Sequence, residues 1–151
     1  MAKNTVEEQL QALIPKNLDD IIRLHRDRAS LRISTQEDLQ PLASNIPLSP
    51  TAVPISRWHF ITLDADTVPA RTRVVFLVGW NDHENRTWNT SPVKRYDAAA
   101  GLLVTRSGNT YSTAGPQGTE KDLDLRHICI FLRKTGVGDH FGIPAFFYDV
   151  P

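Results

Sequence analysis

Asp82-His83-Glu84 sets three residue types that ligate divalent metals or carry protons side by side. They follow directly on the apolar run Val74–Trp80, and loops placed by a buried strand are a common home for such chemistry. Neighbours on an extended chain point to alternating sides, so three in a row rarely converge on one ion. A metal-dependent hydrolase built here would need a distant partner such as His59, His127, Asp139 or His140. The simpler reading is a solvated loop. Asp64-Ala-Asp66 puts two carboxylates on one face of an extended segment, a spacing that can hold a divalent cation against phosphate. Beside Thr67-Val-Pro69 it reads more simply as a turn whose carboxylates bond their own backbone. His127 and Cys129 would share a face only in a strand; in a helix Cys129 becomes a buried, inert thiol. Gly136-Val-Gly138 with Gly142 lacks the dinucleotide spacing and follows a helix signal instead of opening one. There is no Gly-x-Ser-x-Gly elbow and no Walker A sequence. No catalytic set, metal site or cofactor is therefore assigned.

Two other groups bear on binding. Arg23, Arg26, Arg28 and Arg32 form a basic stretch able to touch phosphate, the basis of a nucleic-acid reading. Asp19, Asp20 and Asp27 dilute it, and residues 1–56 carry six positive and seven negative side chains. Trp58, Trp80, Trp88, Tyr96 and Tyr111 could form a stacking or partner face, since Trp and Tyr bury large areas yet keep a polar handle. In a small β-rich chain most of them would be core. Trp88, beside the polar loop Asn81–Asn85 and before Pro92, is the one expected to be partly exposed.

The bulk numbers exclude several classes. With 151 residues, 17 Lys+Arg and 17 Asp+Glu, the net charge is zero, which argues against a general phosphate-binding surface. Hydrophobic content of 40% against 23% charged excludes wholesale disorder and fibrous repeats. No apolar run nears the ~20 residues that span a bilayer, so no membrane partner is expected. The first ten residues lack an apolar signal core, and a cytoplasmic location is expected. One cysteine excludes an intramolecular disulfide and a multi-cysteine zinc site.

These residues must be placed by elements whose composition shifts along the chain. All eight glycines lie from Gly79 to Gly142, and all twelve aromatics at or beyond Trp58. The first third should therefore be helical and connecting, and the remainder should hold the main core. Thr5 with Glu8 starts a helix that Pro15 ends; Asn17 caps a second, with Leu18, Ile21, Ile22 and Ala29 inward. Ser34 or Thr35, with Glu37 or Asp38, starts a third that Pro41 shortens. Residues 41–56 carry four prolines and read as an extended linker or strap. Strands are expected over Trp58–Asp64, over Val74–Trp80 as a central strand, and over Thr87–Asp97 as an edge strand interrupted at Pro92. Leu102–Arg106 and Thr110–Thr113 form a hairpin about a two- or three-residue loop, and Ala145–Asp149 a last strand. Thr119–Gly136 is a helix, acidic at its start, basic at its end, with Leu125, Ile128, Cys129 and Leu132 on one face.

The expected fold is α+β: short N-terminal helices and a proline-rich strap, then a mainly antiparallel sheet packed on one principal helix. Residues 1–45 form the helical segment, 46–56 the linker, and 57–151 the β-rich core with its helix at about 120–135, together one compact unit. The expected function is that of a small, non-enzymatic interaction or regulatory module whose partner is a protein. Its contact surface is centred on Asp82, His83, Glu84, Arg86 and Trp88. The metal-dependent hydrolase and the nucleic-acid regulator using Arg23, Arg26, Arg28 and Arg32 are the alternatives. The sequence leaves the oligomeric state open.

Overall fold

The computed structural model describes residues 6, 8, 14–66 and 71–145. Most of the expected first helix, the turn at 67–70 and nearly all of the expected last strand lie outside them.

Seven strands form one mixed sheet: β1 (Ala29–Ile33), β2 (Val53–Asp66), β3 (Arg71–Asn81), β4 (Arg86–Asn89), β5 (Val93–Asp97), β6 (Leu102–Thr105) and β7 (Thr110–Ser112). The order is β4-β3-β2-β7-β6-β5, with β1 pairing the far end of β2. Every pairing is antiparallel except β2 with β7, where Val53 and Pro54 lie parallel to Tyr111 and Ser112. Two short α-helices lie wholly within the described residues, α1 (Gln36–Leu39) and α2 (Leu125–Lys134). The chain thus has an α+β composition dominated by strands.

β3, expected as a central strand, lies one in from the edge, paired along its length with β2 and with β4 only over Val78–Asn81. Alternation along β2 and β3 feeds two clusters. Ile61, Leu63, Ala65, Phe76 and Val78 point to one face, where they meet Ile128, Cys129 and Leu132 of α2 together with Leu18, Ile21 and Ile22. Phe60, Val75 and Leu77 point to the other face and pack with Ile55, Val93, Leu103 and Tyr111.

The expected second helix is a correction. Asn17 does cap, accepting from the Asp20 N–H, but only a 3-10 turn over Leu18–Asp20 follows. The chain then ties itself elsewhere: Arg23 and Leu24 both donate their N–H to the Phe141 carbonyl, and His25 takes a left-handed backbone. Ala29, expected on a helix face, opens β1 and lies opposite Ala65. Long-range pairing with β2 outweighs the local helical spacing. The third start signal holds: Thr35 and Asp38 form a reciprocal capping box on α1, and Pro41 sits in the 3-10 turn that follows. The linker boundary also moves, because Val53–Ser56, expected inside it, already belong to β2.

The polar loop after β3 is a tight turn. The buried Asn81 side chain accepts the N–H groups of His83 and Glu84, both at 2.9 Å. Its removal would leave both donors without that acceptor. Asn81→Ala is expected to lower unfolding free energy by about 1–3 kcal/mol in denaturant titration. A loss under about 0.5 kcal/mol would show that the turn holds without its side-chain anchor.

The helix expected over Thr119–Gly136 starts later. Thr119 and Asp122 close a 3-10 turn, Leu123 is extended, and Asp124 caps α2 by accepting the His127 N–H. Gly136, with φ of 89°, ends it as the left-handed cap. The β6–β7 connection is four residues, 106–109, one longer than the longest loop expected.

Candidate functional site

A β-bulge creates the largest departure from regular geometry in β2. Ser56 pairs with Trp80 and His59 with Val78, so Arg57 and Trp58 together oppose Gly79. Arg57 takes a left-handed backbone, φ 48°, which costs a non-glycine residue roughly 1–2 kcal/mol. Its guanidinium lies 5.0 Å from the Trp80 ring centroid. Gly79 is required by this crowding: a Cβ there would stand 2.7 Å from Ile55 and 2.8 Å from the Ser56 carbonyl oxygen.

The segment 115–119 is bonded along the bulge. Arg57 N–H donates to the Pro116 carbonyl, and Gly118 N–H to that of Trp58. The Trp58 indole N–H donates to the Gly115 carbonyl at 3.0 Å. The buried His59 ring sits with Nε2 2.9 Å from the Thr119 carbonyl oxygen. That oxygen can only accept, so Nε2 carries a proton. Gly118 is a second close approach, since a Cβ would lie 2.6 Å from both the Arg57 carbonyl oxygen and His59 Nε2.

Between this segment, the strands β3 and β4, and the start of α2 lies a polar cleft of about 530 Å³. Arg57 and Trp80 form one side, Lys121, Asp122 and Asp124 another, and His59 and His127 reach it as well. His127 Nε2 meets the Asn89 side-chain oxygen at 2.8 Å, and Asp124 accepts from the Thr87 hydroxyl at 3.5 Å. α2 is thereby fastened to β4. The Thr119 N–H holds the Asp122 carboxyl below its ordinary range; burial opposes this, and the charges of Arg57 and His59 add to it. The cleft offers fixed donors, carboxylate acceptors and an aromatic face. Such groups can orient a polar segment.

Asp82, His83 and Glu84 are exposed on the β3–β4 turn. Asp82 accepts the Ser56 hydroxyl. Among the described residues no three His, Cys, Asp or Glu side chains gather as a metal site. His127 faces Asn89, and His140 stacks on His25, so neither completes that trio. Arg86 is exposed on β4, its guanidinium 4.7 Å from the half-buried Trp88 ring. Trp88 pairs with Gly79 and Trp80 with Thr87, so the two indoles lie on opposite faces of the β3–β4 ribbon. Four of the five aromatics considered as one face, Trp58, Trp88, Tyr96 and Tyr111, join the second core cluster. Trp88 donates its indole N–H to the Tyr111 hydroxyl there.

The four arginines do not share a helix face, a correction to the nucleic-acid reading. Arg23 lies 3.9 Å from Asp20, while Arg26 and Arg28 are exposed in the turn before β1. Arg32 is committed to Asp38 at 2.8 Å and Asp64 at 3.5 Å. Cys129 is buried, and desolvation pushes its thiol up to about 12, far from any reactive state. Asp64 and Asp66 lie on β2 and border one pocket, where Arg73 and Arg32 hold Asp64.

Sequence reasoning passed over Arg57, Lys121 and Asp122 as site residues. The signals were Gly79 inside an apolar strand and the Gly115-Pro116-Gln117-Gly118 run. A glycine in a strand interior marks a bulge or a close backbone approach. No family model, curated protein or solved structure matches the chain.

Proposed function

We propose that the chain is a small interaction module that holds a polar segment of a partner protein against Asn81–Val93 and the adjoining cleft. The observation that carries this reading is the Arg57–Trp80 pair at the cleft: a strained backbone residue lays a cation on a half-buried indole beside the terminal strand β4. Strain of this kind persists only where surrounding structure over-determines it, and it gathers at binding sites. Arg and Trp are also the residue types that dominate binding hot spots. Arg86 and the turn residues Asp82, His83 and Glu84 would form the polar rim. No helix among the described residues is long and apolar enough to cross a membrane. Among the described residues no metal-ligating trio gathers for the hydrolase alternative, and Arg32 of the nucleic-acid alternative is engaged by Asp38 and Asp64.

Arg57→Gly separates binding from folding. Relief of the left-handed backbone offsets the lost ring contact and the added chain entropy, so stability should change by less than about 1 kcal/mol. A partner recovered on the wild-type protein from lysate of its native host, with and without nuclease, should bind this variant at least about 10-fold more weakly. Equal affinity for wild type and Arg57→Gly would remove the cleft from the interface. A partner lost on nuclease treatment would move the function to nucleic acid.

A further inference from the structure

Between the 3-10 turn at Gln40–Leu42 and the start of β2, the chain passes through two exposed prolines, Pro47 and Pro50. Residues 44–49 belong to no helix or strand. Proline fixes φ at about −65° and drives the residue before it to extended backbone, so Ile46, Pro47, Ser49 and Pro50 are all restrained. Ala43, just ahead of them, has φ −57° and ψ 126°, close to polyproline II. Burial along the segment repeats every third residue. Ile46 is buried and Ser49 and Ala52 are half-buried, while Pro47, Leu48, Pro50 and Thr51 are exposed. That is the repeat of polyproline II, and of neither an α-helix nor a strand.

The segment is tied at its ends. Ser44 N–H donates to the Tyr96 carbonyl and Ile46 N–H to the Asp97 carboxylate, both at 3.0 Å. At the far end Ala52 N–H returns to the Ser49 carbonyl, closing a turn with Pro50 in its second position. Between these ties no described residue bonds the carbonyls of Ile46, Pro47 or Leu48. Leu48 is 88% exposed, the most open large apolar side chain among the described residues. A lone exposed leucine needs no explanation. One set between two exposed prolines, on a restrained segment with open carbonyls, presents a fixed apolar shape. Residues 41–56 carry no charged side chain.

We infer that this segment is itself a ligand, read by a partner domain whose aromatic-lined groove takes polyproline II. A helix of three residues per turn has three edges. Here Ile46 and Ser49 occupy the edge turned to the chain itself. Pro47 and Pro50 share a second edge and Leu48 marks the third, and these two seat in the groove. The preformed backbone lowers the ordering cost of binding, and donors of the partner's aromatic side chains take the open carbonyls. The inference does not depend on the cleft beside β4, with which the segment shares no residue.

The probe is a panel of purified SH3 and WW domains, each titrated with the full chain. At least one should bind, with little dependence on salt, because the segment is uncharged. Leu48→Ser and the double variant Pro47→Ala/Pro50→Ala should each weaken that binding about tenfold. Leu48→Ser alters only an exposed side chain, so its unfolding midpoint in denaturant should stay at the wild-type value. A polyproline decapeptide should displace the chain from the domain, and Arg57→Gly should bind as the wild type does. The inference is overturned if no domain binds, if both strap variants bind as tightly as wild type, or if polyproline fails to compete. Binding lost on Arg57→Gly would assign the contact to the cleft and overturn it. Dimerisation of the wild-type chain that Leu48→Ser abolishes would give the segment to a second copy and overturn it too.

Discussion

Phe76→Ala is expected to lower unfolding free energy by about 3–5 kcal/mol, the cost of emptying a large aromatic site in a packed core. Phe76 is 2% exposed and is the largest fully buried side chain in the described chain. It stands on β3, among Ile61, Ile128, Cys129 and Leu132, with its ring 4.9 Å from that of Phe131. Phe76 pairs with Ile61 of β2, and its neighbour Leu77 is bonded on the other side by Thr90, so the backbone has little room to move in and fill the void. In a chain of this size the melting temperature should fall by roughly 10 °C. Phe131→Ala, at a half-buried site on α2, should cost less than half as much. A loss below about 1 kcal/mol at Phe76 would mean that the sheet and α2 do not share the core described above.

The second large effect is electrostatic. Asp38 and Asp64 are buried, with side chains only 2% and 7% exposed. Arg32 bonds Asp38 at 2.8 Å, and Arg73 bonds Asp64 at 3.2 Å. For Asp38, burial raises the pKa. The Thr35 N–H, the hydrogen bonds from Arg32 and Thr62 and the Arg32 charge together outweigh burial, so the net position is below the ordinary 3.8. A folded pKa held below the unfolded value adds stability that is present above about pH 4 and lost as pH falls through the folded value. Arg32→Met should cost about 2–3 kcal/mol at pH 7; the partial exposure of the guanidinium keeps this below the full cost of stranding a buried charge. In the variant Asp38 keeps its burial and loses its nearest cation, with Arg73 left at 3.8 Å, so its pKa rises. The gap between wild type and variant should therefore narrow as pH falls through the variant's raised pKa and close once Asp38 is protonated in both proteins. Denaturant titrations at pH 7 and pH 3 would measure it. A gap that stayed constant would assign the loss to packing of the arginine stem.

The strands and turns that depend on local chemistry were legible. The run Val74–Trp80 marked a buried strand, though one in from the edge of the sheet and not central; Pro92 separated β4 from β5, and Thr35 with Asp38 marked α1. What failed depended on distant partners. Residues 18–29 have helical spacing, but Ile21 and Ile22 are both buried and Ala29–Ile33 pair with Ala65–Ile61, a match that no window of sequence contains. The cleft was illegible for the same reason. Arg57, Trp80 and Lys121 are scattered along the chain and meet only because a bulge and a Gly-Pro segment bring them together. Gly79 and Gly118 carried a hint of this, since each sits where a side chain would strike a neighbouring strand or loop. The Asp82-His83-Glu84 trio was legible: adjacent side chains point apart, the simpler reading was a solvated loop, and all three are exposed on the turn.

The bulge in β2 also sets a parity. Before it, odd-numbered residues such as Val53 and Ile55 face the second cluster; after it, even-numbered Trp58 and Phe60 do. One extra residue shifts the phase of a strand that must serve two sets of neighbours. Deleting one residue at Arg57–Trp58 would leave Ile55 and Phe60 four positions apart and still on one face, so the bulge would close without reversing either half, and what would be lost is the left-handed turn that lays Arg57 on Trp80. The strand is thus two short messages joined by a frame shift. A one-residue gap elsewhere in β2 would instead carry every residue on one side of it to the wrong face.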